Sequence, residues 1–139
     1  MSKKDQYLDH LAAVPMFSAC SKKDLQLVAK TADEFTVNQG ANLTVEGGSG
    51  REFFVIVEGK AKVTREGKQI AVLGAGDFFG ELSLLDKAPR NATVTASTPL
   101  DVLVLEQRSF TALLAEVPSI ARKLMIGMAR RLNQLDSKA

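Results

Sequence analysis

Residues 78–94 read FFGELSLLDKAPRNATV and set a glycine (Gly80), an acid (Glu81), a short apolar run, a proline (Pro89) and an arginine (Arg90) in quick succession. Gly80 has no Cβ, so backbone or ligand can approach it closely. Glu81-Leu82-Ser83-Leu84-Leu85 has helix-forming character but lies between Gly80 and Pro89, which leaves room for only one or two turns. So short a helix contributes little packing. Its first turn nevertheless carries unpaired N–H groups and the positive end of the helix dipole, a setting for an anion. Arg90 adds a fixed positive charge whose forked donors suit phosphate. Glu81 is the odd member, since a carboxylate repels phosphate. It fits if it accepts hydrogen bonds from hydroxyls of the same ligand, and a sugar phosphate offers both groups.

On either side of this stretch the pattern is that of short strands. Downstream, Ala92-Thr93-Val94-Thr95-Ala96 alternates, and Asp101-Val102-Leu103-Val104-Leu105 follows Pro99-Leu100. Upstream, Phe35-Thr36-Val37 and Leu43-Thr44-Val45 flank the turn signal Asn38-Gln39-Gly40, and Gly47-Gly48-Ser49-Gly50 reads as a flexible loop. Phe53-Phe54-Val55-Ile56-Val57 is a continuous β-branched and aromatic run, the pattern of a strand buried on both faces, and Gly59 breaks it. Ala61–Thr64 and Gln69–Leu73 form a hairpin about Arg65-Glu66-Gly67-Lys68. Strands at intervals of about ten residues with turns between them predict an antiparallel roll of about eight strands.

The two ends are helical in pattern. Asp5 to Val14 is weakly helical and closed by Pro15, and Ser21-Lys22-Lys23-Asp24 matches a capping box ahead of Leu25, Val28, Ala29 and Ala32. This N-terminal layer is expected to pack against the body of the domain. Ser109 is the expected N-cap of a helix carrying Phe110, Leu113, Leu114 and Val117, and Pro118 suits the first turn of another. In that last helix Ile120, Leu124, Met128, Leu132 and Leu135 recur at helical spacing, a stripe for the core or for a subunit contact. The expected class is α+β: one domain over 1–139, with helices in 1–34, an eight-stranded jelly-roll-like β-roll in 35–108 and two helices in 109–139.

Composition narrows the chemistry. With 139 residues, 45% hydrophobic and 24% charged, the chain reads as globular and large enough for a real core. A net charge of +2 is too small to argue for nucleic acid, and the pairs Lys3-Lys4, Lys22-Lys23 and Arg130-Arg131 read as solvated helix faces. Cys20 is the single cysteine and His10 the single histidine, which excludes an intrachain disulfide, a cysteine-based metal centre and a recognisable nucleophile–base pair. No apolar run reaches the about 20 residues of a membrane span, and MSKKDQYLDH is too polar for a signal peptide, so the expected location is the cytoplasm. Gly74-Ala75-Gly76 lacks the third glycine of a dinucleotide fingerprint, because position 79 is Phe79, and no P-loop is present. Asp77 and Glu81 fit a turn-forming acid and a ligand-binding acid better than a catalytic pair.

Gly76-Asp77-Phe78-Phe79-Gly80-Glu81-Leu82-Ser83-Leu84-Leu85 followed by Pro89-Arg90-Asn91-Ala92-Thr93-Val94 resembles the phosphate-binding cassette of cyclic nucleotide-binding domains, residues 76–94 here. This is the family of the catabolite activator protein, the regulatory subunit of protein kinase A and cyclic-nucleotide-gated channels. The resemblance extends to Val14-Pro15-Met16-Phe17, Phe53–Gly59 and Ser109–Leu135. It implies that Glu81 accepts the ribose 2′-hydroxyl, that Gly80 supplies backbone approaching the ligand, and that Leu82 and Ser83 present N–H groups to the cyclic phosphate. Arg90 would pair with the phosphate oxygens. By position Val63, Ala71 and Leu73 would form an apolar wall beside the purine, and Arg131, Leu132 or Leu135 would supply a lid.

Asn91 departs from the family, whose members commonly carry Ala, Ser or Thr there. A Thr at that position favours cyclic GMP by bonding the guanine amino group. Its absence points to cyclic AMP as ligand, with cyclic GMP as the alternative because Asn both donates and accepts. A second departure is the loop Gly48-Ser49-Gly50-Arg51, where relatives often place an acid. The function implied is reversible binding without catalysis or cofactor, in a sensor whose C-terminal helices respond to ligand. The expected partners are the cyclic nucleotide and either a second copy or an effector protein, with no membrane and no nucleic acid. A degenerate domain that keeps the fold and serves protein interaction is the competing reading.

Overall fold

The structure, a computed structural model, describes residues 7–86 and 88–137. Lys3-Lys4, the Asp5 and Gln6 start of the first expected helix, and Lys87 of the cassette lie outside the described residues. Two compact units result: the strands of Ala32–Gln107, and a helical unit drawn from the residues before and after them.

The strand unit contains β1 (Asp33–Val37), β2 (Asn42–Thr44), β3 (Glu52–Glu58), β4 (Ala61–Arg65), β5 (Lys68–Leu73), β6 (Phe78–Phe79), β7 (Thr93–Ala96) and β8 (Leu100–Glu106). They form two four-stranded antiparallel sheets, ordered β1-β8-β3-β6 and β2-β7-β4-β5. The expected eight-strand roll is therefore present. The apolar run of β3 lies in the middle of its sheet, with Phe53, Phe54, Val55 and Ile56 all buried. Between the sheets Phe54, Ile56, Ala61, Val94, Ala96, Leu100, Val102 and Val104 make one continuous core. The β4–β5 hairpin turns at Glu66 and Gly67, both at positive φ (53° and 78°), the backbone that matches the twist of a two-residue hairpin.

Strand β6 has only two residues, and it places the cassette. Phe78 and Phe79 pair with Val55 and Phe54 of β3. The Phe54 and Phe79 rings stack at 4.8 Å, and Phe53 meets Phe78 edge-on at 6.1 Å. Asp77 O also accepts from the Ile56 N–H at 2.8 Å. Gly80 thus leaves the sheet from a fixed point.

The helical unit comprises α1 (Leu8–Ala12), a 3-10 turn at Pro15–Phe17, α2 (Lys22–Thr31), most of α3 (Gln107–Glu116) and α4 (Pro118–Ser137). The capping box of α2 forms as expected: the Asp24 N–H donates to Ser21 Oγ (3.1 Å) and the Ser21 N–H to Asp24 Oδ2 (2.8 Å). Lys123 of α4 adds an ion pair to the same Asp24 oxygen at 2.6 Å. Burial raises the Asp24 pKa, but Lys123 and the bonds with Ser21 outweigh it and hold the carboxyl below its ordinary value. Phe17 and Phe110 meet edge-on at 6.3 Å.

Ser109 is not an N-cap. Helix α3 starts two residues earlier because β8 runs straight into it, and the Gln107 N–H is satisfied by Arg51 O at 2.8 Å instead of by a side chain. Pro118 does open α4. The apolar stripe of α4 divides: Ile120 and Leu124 are buried, Met128 is half-buried, and Leu132 and Leu135 are exposed. Among the described residues no helix is long and apolar enough to cross a membrane.

Candidate functional site

Gly80 adopts φ 83°, left-handed backbone that glycine tolerates, and turns the chain from β6 into a 3-10 helix over Glu81–Leu84. The expected short helix is there, in its tighter form. Its first turn closes when the Ser83 N–H donates to Gly80 O at 3.0 Å. The main-chain donors not consumed by that turn are those of Glu81 and Leu82, so Ser83 contributes here through its hydroxyl.

That hydroxyl meets Arg90, which is 9% exposed. Arg90 Nη1 donates to Ser83 Oγ (2.9 Å) and Nη2 donates to Glu52 O (2.8 Å). The Glu52 carboxylate lies 3.9 Å from Nη2, and the guanidinium carbon sits 5.9 Å from the centre of the Phe54 ring. The Arg90 backbone is clasped as well: its N–H donates to Gly48 O, and its carbonyl accepts from the Gly47 N–H, both at 2.7 Å. A Cβ on Gly50 would overlap the guanidinium, and one on Gly80 would come within 2.6 Å of Nη1. Burial lowers the Arg90 pKa and Glu52 raises it, the first effect being larger. An arginine stays protonated at neutral pH regardless, so the site carries a partly dehydrated, immobilised cation.

Around this cation lies a cavity of about 520 Å³. Gly80, Glu81, Leu82, Ser83, Arg90, Asn91, Val63 and Leu73 all line it. Ala71 does not. It is register-opposite Val63 on β5, which puts it on the same sheet face, but it is exposed and outside the cavity lining. Glu81 is half-buried, and its carboxylate has no hydrogen-bond or ion-pair partner among the described residues. Asn91 is exposed at the rim, and its main-chain oxygen accepts a 2.8 Å bond from Arg65 Nε. Arg65 also lines the cavity. Arg131, Leu132 and Leu135 are exposed on α4, in the helical unit.

A buried arginine and, on a short helix lining the same cavity, an unpaired acid make a geometry for an anionic ligand with hydroxyls. Residues 34–117, more than half the chain, match the family model for the cyclic nucleotide-binding domain. The chain belongs to the cyclic nucleotide-binding domain family. It is 35% identical over 117 residues to a cAMP-dependent protein kinase regulatory subunit of Yarrowia lipolytica, covering 83% of this chain and 31% of that protein. A cGMP-dependent protein kinase of Caenorhabditis briggsae is 31% identical over 129 residues, covering 88% of this chain and 17% of that protein. The chain thus spans less than a third of either curated relative. Among solved structures, the N-terminal domain of a transcriptional regulator from Streptomyces coelicolor A3(2) superposes with a TM-score of 0.83 at 32% identity, covering 94% of each chain.

The cassette also draws on residues to which the sequence assigns no role in the site: Glu52, Gly50, Gly47 and Gly48 around Arg90, and Arg65 behind Asn91. In the loop Gly47-Gly48-Ser49-Gly50, Gly50 makes room for the Arg90 side chain, and Gly47 and Gly48 bond its backbone. Only the cluster of glycines hinted at a close approach.

Proposed function

We propose that this domain binds a cyclic nucleotide reversibly in the Arg90 cavity, cyclic AMP first and cyclic GMP as the alternative. The observation that carries the reading is the immobilised Arg90 guanidinium and the unpaired Glu81 carboxylate lining one cavity. Arg90 takes the cyclic phosphate, Glu81 accepts from the ribose 2′-hydroxyl, the first-turn N–H groups of Glu81 and Leu82 add donors, and Val63 and Leu73 flank the base. Cyclic AMP comes first because Asn91 replaces the Thr that favours guanine. Relatives of both the cAMP-dependent and the cGMP-dependent kinase type keep cyclic GMP in play.

Binding proceeds without chemistry, in a cytoplasmic sensor formed by residues 1–139 as one domain. The ligand ties Glu81 and Arg90 to one short helix, and the helices over Ser109–Leu135 respond as a population shift toward the state that binds better. The output is a homodimer partner or an effector protein. A thermal-shift panel with cyclic AMP, cyclic GMP and linear AMP tests the reading. Ligand at 100 times its dissociation constant adds about 2.7 kcal/mol, a clear rise in melting temperature. No shift with either cyclic nucleotide would leave the interaction module as the function, and turnover of the nucleotide would make the domain an enzyme.

A further inference from the structure

Glu52 touches Arg90 in two different ways. Its main-chain oxygen accepts a well-formed 2.8 Å bond from Nη2, which fixes where the guanidinium lies. Its carboxylate stands 3.9 Å from the same nitrogen, at the outer limit of an ion pair, on a side chain that is 42% exposed. Removing the carboxylate charge therefore leaves the positioning bond in place. The carboxylate also has a second direction available. Glu52 lines a separate cavity of about 280 Å³ with Phe35, Phe54, Val104 and Glu106. Glu106 is its register partner across β3 and β8, so two acids face each other and neither holds the other.

We propose that the Glu52 carboxylate is a built-in competitor for Arg90, which a ligand's phosphate must displace, and that it thereby selects a singly charged phosphodiester over a doubly charged phosphomonoester. This rests on the cyclic-nucleotide reading of the same cavity. The charge balance carries the selection. Arg90, which is buried, and Arg65, which is exposed, line the cavity with the carboxylates of Glu81 and Asp86, and Glu52 adds a third carboxylate from outside the lining, 3.9 Å from Arg90. An incoming phosphate therefore meets two guanidiniums and three carboxylates, an excess of one negative group that Glu52 supplies. A ring phosphate with one charge tolerates this, whereas each further charge on a linear 5′-phosphate is repelled again by the same carboxylates. A weak, solvent-accessible pair suits the role, because a close bidentate pair would hold Arg90 against any ligand.

Glu52→Gln tests this by calorimetry with cyclic AMP and 5′-AMP on the full chain. From Coulomb's law between unit charges about 6 Å apart in a water-like dielectric, removing the carboxylate strengthens a −1 ligand about threefold and a −2 ligand about tenfold. The preference for cyclic over linear nucleotide should shrink by about threefold. If both affinities fall, Glu52 merely positions Arg90 and the proposal is overturned, as it is if both rise equally or neither moves. Should the folded wild-type chain bind no cyclic nucleotide, that reading of the cavity fails by itself. The competition is then decided with inorganic phosphate, whose binding the Gln variant must strengthen.

Discussion

Gly50→Ala is the substitution that probes the Arg90 cradle without touching its charge. Gly50 is not among the positive-φ glycines, so alanine fits the backbone there. The added methyl has nowhere to go: it would overlap Arg90 Nε and Cζ and reach 2.6 Å from Cδ, where real Cβ contacts are essentially absent. The guanidinium is the movable partner, so Arg90 swings away and gives up Ser83 Oγ and Glu52 O. A charge-assisted partner to a shielded anion is worth about 2–4 kcal/mol to binding, so Arg90→Ala should weaken cyclic AMP by about 30- to 1000-fold. Gly50→Ala should weaken it at least tenfold, because the charge is still present but misplaced. A Cβ on Gly74 meets nothing within 4 Å, which makes Gly74→Ala the matched control. Titration calorimetry on the three variants, with circular dichroism to verify folding, reads the result. Wild-type affinity in folded Gly50→Ala would refute the argument that Arg90 must occupy its observed position.

Other predictions concern the scaffold. Asp24 is held below its ordinary value of 3.8, so the stability it contributes is complete above that value and is lost as pH falls through its folded pKa. Asp24→Asn should cost about 1–3 kcal/mol at neutral pH and flatten acid unfolding in that window, as read from urea midpoints against pH. Gly59→Ala should cost about 2 kcal/mol or more in the same assay, since φ is 102° and a Cβ would strike Pro99 O and lie 2.7 Å from Leu100 Cδ2. Glu66→Gly should stabilise by up to about 1 kcal/mol, because Glu66 alone among the described non-glycine residues has positive φ. A melting temperature lowered by this change would contradict that accounting.

What could be read from the chain was what local rules encode. The Ser21–Asp24 box spans one turn, the β3 run declares its own burial, and the Glu81/Arg90 chemistry is written into one short stretch. What could not be read depends on tertiary register. Glu52 and Arg90 are 38 positions apart, and the β3–β6 pairing, with the Gly47 and Gly48 bonds to the Arg90 backbone, brings the cassette back to β3. The two-residue β6 shows no period of its own, so its role in placing Gly80 had no signal. Ala71 shares a face with Val63, but alternation specifies the face of a strand and not how far along it a cavity extends. Ser109 has the chemistry of a cap, yet the uninterrupted passage from β8 into α3 left it no cap to make. On α4 the helical period was correct for all five stripe residues and could not tell that burial ends before Leu132.

The most direct measurement is calorimetric titration of cyclic AMP into the wild-type chain and Arg90→Ala at one ionic strength. Saturable one-to-one binding to the wild type and affinity reduced at least 30-fold in the variant are the expected result. A folded wild-type chain that binds neither cyclic AMP nor cyclic GMP, or an Arg90→Ala variant that binds as the wild type does, would contradict it.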